Sequence, residues 1–269
     1  MTNLILNGDV NKELKKELDT IHLNTKFNFL KTHNGFRPGK LHLFLAPTGS
    51  GKSTLVRSLI KDLLETGLYW GDALVWLSEE TVKDFQIEWS RTRAIESVNN
   101  VCIESELEID SMRLMMTKLG EQVKRKDVEI LIFDNITTSS MYADKKPHEQ
   151  AALVKGLKRL ASSTNKPIII IAHTNAEVHE NMSGLINEQQ IRGSKTIVSE
   201  SEFMYIMQRF KVGESIQTTI RLRKYRGYAL TETMFLLNFN IDEYIFDKDY
   251  RIDFDEFKRL YKLRNTLRG

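Results

Sequence analysis

Cysteine, proline and glycine are scarce in this sequence. Its 269 residues include one cysteine, 4 prolines and 14 glycines. Because the single cysteine, Cys102, can form neither an intrachain disulfide nor a thiolate cluster, the sequence excludes a disulfide framework and argues against a structural zinc site. The few prolines and glycines exclude collagen-like, mucin-like and linker-like chains. The longest apolar runs, such as Ile168–Ala172, are far shorter than the roughly 20 residues of a membrane helix.

The charges are nearly balanced. Lys and Arg number 39 and Asp and Glu number 36, so the net charge of +3 permits a polyanionic partner without requiring one. Residues Met1–Asp9 have neither the basic start and apolar stretch of a secretory signal nor the Arg and Ser bias of an organelle presequence. We therefore expect a soluble protein with no membrane partner, located in the cytoplasm.

Short apolar runs alternate along the chain with segments of helical periodicity, which is typical of a βαβ series with a buried parallel sheet. The predicted strands are Leu41–Ala46, Ala73–Ser78, Asn100–Glu104, Val128–Asp134 and Pro167–His173. The predicted helices are Lys52–Leu64, Glu80–Ile95, Asp110–Lys124 and His148–Ser163. The pattern predicts an α/β fold in which helices flank a mostly parallel sheet.

The pattern changes after Asn175. A polar, glycine-containing stretch leads to three alternating segments, which we expect to be antiparallel strands added to the edge of the sheet. These segments are Phe203–Phe210, Gln217–Tyr225 and Glu232–Asn240. We also expect a short charged helix at Asn11–Asp19 and an amphipathic helix at Asp253–Leu267. The predicted organisation is an N-terminal helical linker or oligomerisation segment (1–30), a core domain (31–250) and a C-terminal helix (251–269).

A phosphate-binding loop joins the first predicted strand to the first predicted helix. It consists of Ala46, Pro47, Thr48, Gly49, Ser50, Gly51, Lys52, Ser53 and Thr54. Gly49 and Gly51 let the backbone amides turn towards phosphate oxygens at a helix N-terminus. Lys52 supplies a point charge against the β and γ phosphates, and the Ser53 hydroxyl suits Mg²⁺. Ala46 replaces the first glycine of the strict pattern, where a small residue still fits.

Polar side chains follow the other predicted strands, at the edge where open α/β sheets bind ligands. Asp134 ends one strand and is a candidate Mg²⁺ residue, with a helix cap or turn role as the alternative. Glu79 and Glu80 end another, and only one of them can point at the site. Glu79 is the candidate general base, whereas we expect Glu80 to be a first-turn acid of the next helix. His173 ends a further strand and is placed to sense the γ phosphate, although a lone histidine is more often structural.

Together these residues resemble the RecA-type motor of the DnaB-like (superfamily 4) hexameric replicative helicases. The resemblance is closest to the helicase half of phage primase-helicases and mitochondrial Twinkle, and it runs from about Phe36 to Asn240. Four blocks carry it: Ala46–Thr54, Ile130–Asn135, Ile168–Asn175, and Ile191–Lys195 followed by a strand ending in Arg209. The Arg-Gly-Ser of the fourth block distinguishes this group from other phosphate-loop families.

The resemblance implies the roles of individual residues. Lys52 and Ser53 would hold phosphate and Mg²⁺, Asp134 would serve the metal, and Glu79 would be the base. His173 matches the phosphate-sensing position. The segment Arg223–Gly227 is similar to an element that neighbouring subunits insert into each other's nucleotide site, so Lys224 would reach the nucleotide and Arg226 would be an arginine finger. Solvated charges on an edge strand are the alternative for both.

The resemblance also implies an activity: a homohexameric ring driven by ATP, or by another NTP or dNTP, that moves 5′ to 3′ on single-stranded DNA in the cytoplasm of a phage host. A separate primase and DNA polymerase would be its partners. The loop Ala176–Gln190 departs from the family because it carries Glu177, Glu180 and Glu188 and no Lys or Arg. DNA contacts would then rest on Arg192, Ser194 and Lys195, with Lys145 and Lys146 as weaker candidates.

Two other functions stay open on the sequence. A RecA-like phage recombination ATPase would share the fold and the phosphate loop but would bind or pair single-stranded DNA without unwinding it. A small-molecule or protein kinase would share the phosphate loop alone. The segment Arg192–Ser194 and Arg226 argue against the kinase.

Overall fold

A computed structural model provides the structure of the chain. It describes residues 25–33, 35–65, 72–92, 101–107, 109–174, 185–212, 214–225 and 233–266. The predicted helix Asn11–Asp19, residues Glu177 and Glu180 of the acidic loop, and Arg226 lie outside these ranges. The predicted domain boundaries therefore stay predictions.

The first five strands agree closely with the predicted apolar runs. They are β1 (Leu41–Ala46), β2 (Asp72–Leu77), β3 (Val101–Ser105), β4 (Val128–Asp134) and β5 (Ile168–His173). Every residue of β1 and β5 is buried, as expected for strands that helices cover on both faces. All five pair in parallel, so their carboxyl ends meet at one edge of the sheet.

Four further strands extend the sheet: β6 (Phe203–Val212), β7 (Ser215–Tyr225), β8 (Thr233–Asn240) and β9 (Ile245–Ile252). The expectation that Phe203–Phe210 would be antiparallel is wrong, because β6 pairs in parallel with β1. Only β7, β8 and β9 run antiparallel to their neighbours. The sequence analysis missed β9, whose adjacent buried residues Ile245 and Phe246 break the alternation of a half-buried strand.

The described residues form one sheet of nine strands in the order β3-β2-β4-β5-β1-β6-β7-β8-β9. β1 lies between β5 and β6, so the chain leaves β1 at the point where the strand order reverses. Ligands of open α/β sheets bind outside such a point, at the carboxyl ends of the strands. The phosphate-binding loop follows β1 and occupies this place. The expected α/β fold is confirmed, a mostly parallel sheet with antiparallel strands at one edge.

The helices follow the predicted segments with shifted ends. They are α1 (Asn28–Lys31), α2 (Lys52–Glu65), α3 (Val82–Ser90), α4 (Met112–Lys124), α5 (Pro147–Thr164), α6 (Thr196–Glu200) and α7 (Phe254–Thr266). Helix α3 begins after Glu80 because the Thr81 side chain caps it by accepting from the backbone N–H of Asp84. Within the described ranges, no helix has the length and apolar character that would let it span a bilayer.

Two hydrophobic layers cover the faces of the sheet. One contains the buried face of α2 together with Phe27, Phe29 and Leu30 from the N-terminal segment. The other contains the buried faces of α4 and α5. Helix α7 packs on β6, where the Phe257 ring meets the Phe210 ring edge-on at 5.7 Å between centroids. These layers hold the ends of β1, β2, β4 and β5 in fixed relation to one another.

Two buried histidines lie near the start of β1, away from the phosphate-binding loop. The His42 ring stacks on Phe203 at 4.3 Å, and His33 Nε2 lies 2.5 Å from the Tyr205 hydroxyl. Burial lowers the pKa of His33 to about 4 and that of His42 well below its ordinary value. Both rings are therefore neutral in the folded protein at pH 7.

Candidate functional site

The loop between β1 and α2 has the backbone that its glycines predict. Gly49 and Gly51 have φ angles of 73° and 94°, a region that other residues rarely adopt. Helix α2 begins directly after the loop, and the Leu55 N–H donates to the Gly51 carbonyl at 2.9 Å. The positive end of the α2 dipole and the loop amides thus face the same space. Such an arrangement favours a bound anion, and phosphate above all.

Lys52 is buried at the start of α2. Its Nζ donates to the Pro47 carbonyl at 2.7 Å, so the side chain folds back over the loop. Burial lowers the pKa of Lys52 to about 8, while the carboxyl groups of Asp134 and Glu79 act in the opposite direction. Lys52 is therefore a cation that burial destabilises, and a phosphate beside it would supply the missing negative charge.

Asp134 lies at the carboxyl end of β4, opposite Leu77 of β2, and only 7% of it is exposed. Burial, reinforced by Glu80 and Glu79, raises the pKa of its carboxyl group to about 7, against the opposing charges of Lys52 and Arg57. A divalent cation would relieve this penalty. The Asp134 carboxylate and the Ser53 hydroxyl are oxygen donors, the type that Mg²⁺ prefers, and Mg²⁺ usually takes few protein ligands beside substrate phosphates. The residues present therefore fit the expected metal.

The structure separates the roles of Glu79 and Glu80. The Glu79 side chain is exposed, and its Oε1 accepts a hydrogen bond from Asn135 Nδ2 at 3.1 Å. Glu80 is half-buried; burial raises the pKa of its carboxyl group, and Arg57 opposes that rise. The expectation that Glu80 is a first-turn acid of the helix is wrong, because it precedes the N-cap Thr81 and Asp84 occupies the first turn. Glu79 is the carboxylate that joins the phosphate side of the site.

His173 lies at the carboxyl end of β5, in register with Ala46 of β1. It is buried, and its Nε2 is 3.2 Å from Asn135 Nδ2. Burial lowers the pKa of the His173 ring to about 4, and the nearby charges of Lys52 and Arg192 add to this effect. A neutral imidazole therefore stands beside the phosphate-binding loop, able to donate from one nitrogen and accept at the other.

The candidate DNA segment continues directly from this histidine. The Arg192 N–H donates to the His173 carbonyl at 2.9 Å, and the Ser194 N–H donates to the Tyr142 hydroxyl at 2.9 Å. The side chains of Arg192 and Lys195 are exposed, and Lys195 stands at the N-terminal end of α6. The backbone therefore connects the predicted phosphate sensor to the predicted DNA contacts within a few residues.

Lys224 lies elsewhere in this chain than the nucleotide site. Its Nζ donates to the carbonyls of Val198 and Ser199 at 2.6 and 3.3 Å, and so satisfies the C-terminal end of α6. Cations are favoured at helix C-termini by the helix dipole. The nucleotide-binding role predicted for Lys224 concerns a neighbouring subunit and stays a prediction, as does the role of Arg226.

A cleft of about 600 Å³ opens beside the phosphate-binding loop, towards the antiparallel strands. Ser50, Gly51 and Thr54 line one side, and the outer strands contribute Arg209 and Phe246 among others. The Arg209 Nη1 donates to the Gly49 carbonyl at 3.0 Å. The cleft places a cation and an aromatic ring next to the loop, as a flat, polar ligand group would require.

The sequence analysis assigned no role to Asn135, Arg57 or Tyr142. Asn135 follows the strand-end Asp134 directly, and that position at the ligand edge was the available indication. Arg57 is a buried cation on α2, and Tyr142 contacts the Arg-Gly-Ser segment from a distant part of the chain. No local pattern identifies either of the last two, because their partners are remote in sequence.

The chain is similar to known proteins in sequence and in fold. A family model described as an AAA domain matches residues 16–177. No curated protein sequence matches the chain. Among solved structures, the ATPase domain of a DnaB-like phage helicase superimposes with a TM-score of 0.69, over 88% of this chain and 94% of that one. The two are 13% identical, so this likeness establishes the fold alone. The RecA-like ATPase core expected from the resemblance to DnaB-like helicases is thereby confirmed as a fold.

Proposed function

The chain belongs to the AAA domain family, whose model covers more than half of it, and from this premise we propose that it is an NTP-driven replicative DNA helicase. Its substrates are ATP, or another NTP or dNTP, and single-stranded DNA. It works as a homohexameric ring and moves 5′ to 3′, the direction that its resemblance to DnaB-like helicases implies. A separate primase and DNA polymerase complete the replication machinery.

One observation carries the proposal. The side chains of Lys52, Asp134, Glu79 and His173 come from the ends of four different strands and meet beside one phosphate-binding loop. Asp134 and Glu79 both act on the pKa of Lys52, and Lys52 acts on that of His173. A buried cation, a buried carboxylate, an exposed carboxylate and a neutral imidazole are the groups that nucleotide hydrolysis uses.

The geometry supports one division of labour at this site. Lys52 and the loop amides hold the phosphates of the nucleotide, and Ser53 and Asp134 hold Mg²⁺, which neutralises charge on the β and γ phosphates. Glu79 accepts a proton from the attacking water. The cleft between the loop and the outer strands takes the base and ribose, with Arg209 at its entrance. Loss of the γ phosphate is sensed at His173 and passes along the backbone to Arg192.

The DNA contacts and the assembly follow from neighbouring elements. Arg192, Ser194 and Lys195 contact the DNA backbone through two exposed cations and a hydroxyl. With so few cations, we expect binding with a shallow salt dependence, since each phosphate neutralised adds to the slope. Arg226 of one subunit completes the nucleotide site of the next, so hydrolysis requires the ring.

A subunit-mixing experiment tests the shared site. Subunits carrying Lys52→Ala are mixed at varied ratios with subunits carrying Arg226→Ala, each inactive alone. Because the two residues act on a site from opposite sides, some sites in mixed rings contain both intact groups, and activity should partly return. The matched control mixes Lys52→Ala with Asp134→Asn, which damage the same side of the site and should give no recovery. No recovery with Arg226→Ala, despite proven co-assembly, contradicts the shared site.

A forked DNA substrate tests the unwinding. We expect strand displacement that depends on NTP and on single-stranded DNA. Pairing of complementary strands without displacement would instead support the RecA-like recombination ATPase. Hydrolysis that single-stranded DNA does not stimulate would contradict the helicase.

A further inference from the structure

The Asn135 side chain lies between the predicted base and the predicted phosphate sensor. It is fully buried, immediately after the strand-end Asp134. Its Nδ2 lies 3.1 Å from Glu79 Oε1 and 3.2 Å from His173 Nε2. An amide NH₂ group has two hydrogens, so one group can donate to both partners at once. No other side chain in the described part of the site is hydrogen-bonded to both residues.

The orientation of this amide follows from its other end. Asn135 Oδ1 accepts from the backbone N–H groups of Thr137 and Thr138, at 2.8 and 3.2 Å, and from the Thr137 hydroxyl at 2.7 Å. A backbone N–H can only donate, so the atom facing it must be the oxygen. The NH₂ group therefore faces Glu79 and His173, and the loop after β4 holds it there.

The orientation of the amide decides which nitrogen of His173 carries the proton. Because Asn135 donates to Nε2, this nitrogen must offer a lone pair, and the proton of the neutral ring sits on Nδ1. Nδ1 is buried and has no hydrogen-bond partner among the described residues. A buried donor without an acceptor is unfavourable, so this N–H is available to an oxygen of a bound ligand.

We propose that Asn135 is a positioning residue that holds the Glu79 carboxylate with one N–H and fixes His173 as the Nδ1–H tautomer with the other. This inference rests on the proposed function, in which both partners act on the nucleotide. Removal of the γ phosphate at His173 then changes the hydrogen bonding of the same amide that orients the base. The base is held in its active position only while the sensor is engaged.

The variant Asn135→Asp isolates this role. An aspartate has nearly the same shape and still accepts from Thr137 and Thr138, so the loop keeps its hydrogen bonds. Its second oxygen replaces the NH₂ group, repels the Glu79 carboxylate and accepts a proton from His173. Other charges face this position: Lys52 and Arg57 on α2, Glu80 after β2, Asp134 on β4 and Arg192 after β5. None of them changes in the variant, so the comparison with the unmodified protein isolates the amide.

Nitrogen NMR of the histidine side chains provides the first test. The chain has 6 histidines, and His173→Gln assigns the signal of interest. Without nucleotide, we expect a neutral ring with Nδ1 protonated at pH 7, and a ring with Nε2 protonated in Asn135→Asp. Thr138→Val is the matched control: it removes a hydroxyl that donates to the Asn135 carbonyl at 3.2 Å and leaves the amide in place. That variant should keep the Nδ1–H form. An Nε2–H tautomer in the unmodified protein overturns the inference, and this measurement needs no variant to fold.

Nucleotide hydrolysis provides the second test. We expect Asn135→Asp to lower kcat by about 100-fold, the lower end for a misplaced general base, with KM within about twofold. In a Glu79→Gln background the same change should lower kcat no further, because the carboxylate that Asn135 positions is already gone. Equal losses in both backgrounds would mean that Asn135 acts on the structure rather than on Glu79.

The two tests separate this inference from the function on which it rests. A chain that hydrolyses nucleotide but carries His173 as the Nε2–H form overturns the role of Asn135 alone. A chain that hydrolyses no nucleotide under any condition overturns the proposed function, and the role of Asn135 with it.

Discussion

Replacing Asp134 by asparagine should change how the stability of the nucleotide-free protein depends on pH. Burial, Glu80 and Glu79 raise the pKa of the Asp134 carboxyl from 3.8 to about 7 in the folded state. Because the folded protein holds this proton more tightly than the unfolded chain does, the free energy of unfolding falls as the pH rises between the two pKa values. The window for Asp134 therefore runs from about pH 4 to pH 7. Asparagine does not titrate, so the variant loses this dependence.

The expected size follows from the pKa shift. Between pH 5 and pH 7 the unfolded chain has released the proton, and the folded protein keeps it until it is half ionised at about pH 7. Each pH unit is worth about 1.4 kcal/mol while the folded carboxyl stays protonated. The free energy of unfolding of the variant, relative to the unmodified protein, should therefore rise by about 2 kcal/mol across those two units. The window stays below the pKa of Lys52, about 8, so that Lys52 keeps its charge throughout.

Urea denaturation at pH 5, 6 and 7, in the presence of a chelator and without nucleotide, measures this difference. Asp127→Asn is the matched control, because Asp127 lies just before the same strand and Arg125 lowers the pKa of its carboxyl group. Both pKa values of Asp127 thus lie below the window, and its variant should follow the unmodified protein. If the Asp134→Asn and unmodified curves run parallel within about 0.5 kcal/mol, the carboxyl is not buried as described, and the reasoning about Lys52 and Mg²⁺ fails.

Three further predictions follow from contacts outside Asp134. Gly193→Ala should destabilise the protein by about 2 kcal/mol in urea, because its Cβ would lie 2.6 Å from the Tyr142 ring at a φ of 95°; the helical control Gly120→Ala, which meets nothing within 4 Å, should not destabilise it. His33→Gln should reduce the loss of stability on acidification, since the pKa of His33 falls from 6.5 to about 4 on folding and its contribution is lost as the pH falls through that window; an unchanged acid limb would contradict this. Arg209→Ala should raise KM for nucleotide about fivefold with kcat nearly unchanged, because it removes one hydrogen bond of about 1 kcal/mol to the loop; steady-state kinetics that show a fall in kcat alone would contradict it.

Local patterns predicted much of the fold and the centre of the site. Strands β1, β4 and β5 appear as apolar runs, and the loop after β1 appears as glycines followed by lysine. These features depend on residues close together in sequence, because side-chain periodicity and glycine backbone freedom act over a few residues. The same reasoning placed Asp134 and His173 at strand ends, on the ligand edge of the sheet.

The order and direction of the strands were decided by the tertiary structure. The segment that forms β6 alternates as an antiparallel edge strand would, yet it pairs in parallel with β1, because the chain reaches it at the amino end of β1, where Glu202 N–H donates to the Leu41 carbonyl. Strand β9 has a poor strand pattern and is held by its pairing with β8. Pairing partners are chosen by packing of the whole sheet, and a single segment carries little information about them.

The amino-acid sequence by itself determined that a phosphate-binding loop exists, that Lys52 belongs to it, and that acidic and histidine side chains end the neighbouring strands. Only the tertiary structure decided which of them meet. Asn135 contacts residues 56 and 38 positions away along the chain, and that contact distinguishes Glu79 from Glu80. The physical reason is that hydrogen bonds between strand ends require the strands to be neighbours, and their order in the sheet is a property of the assembled core.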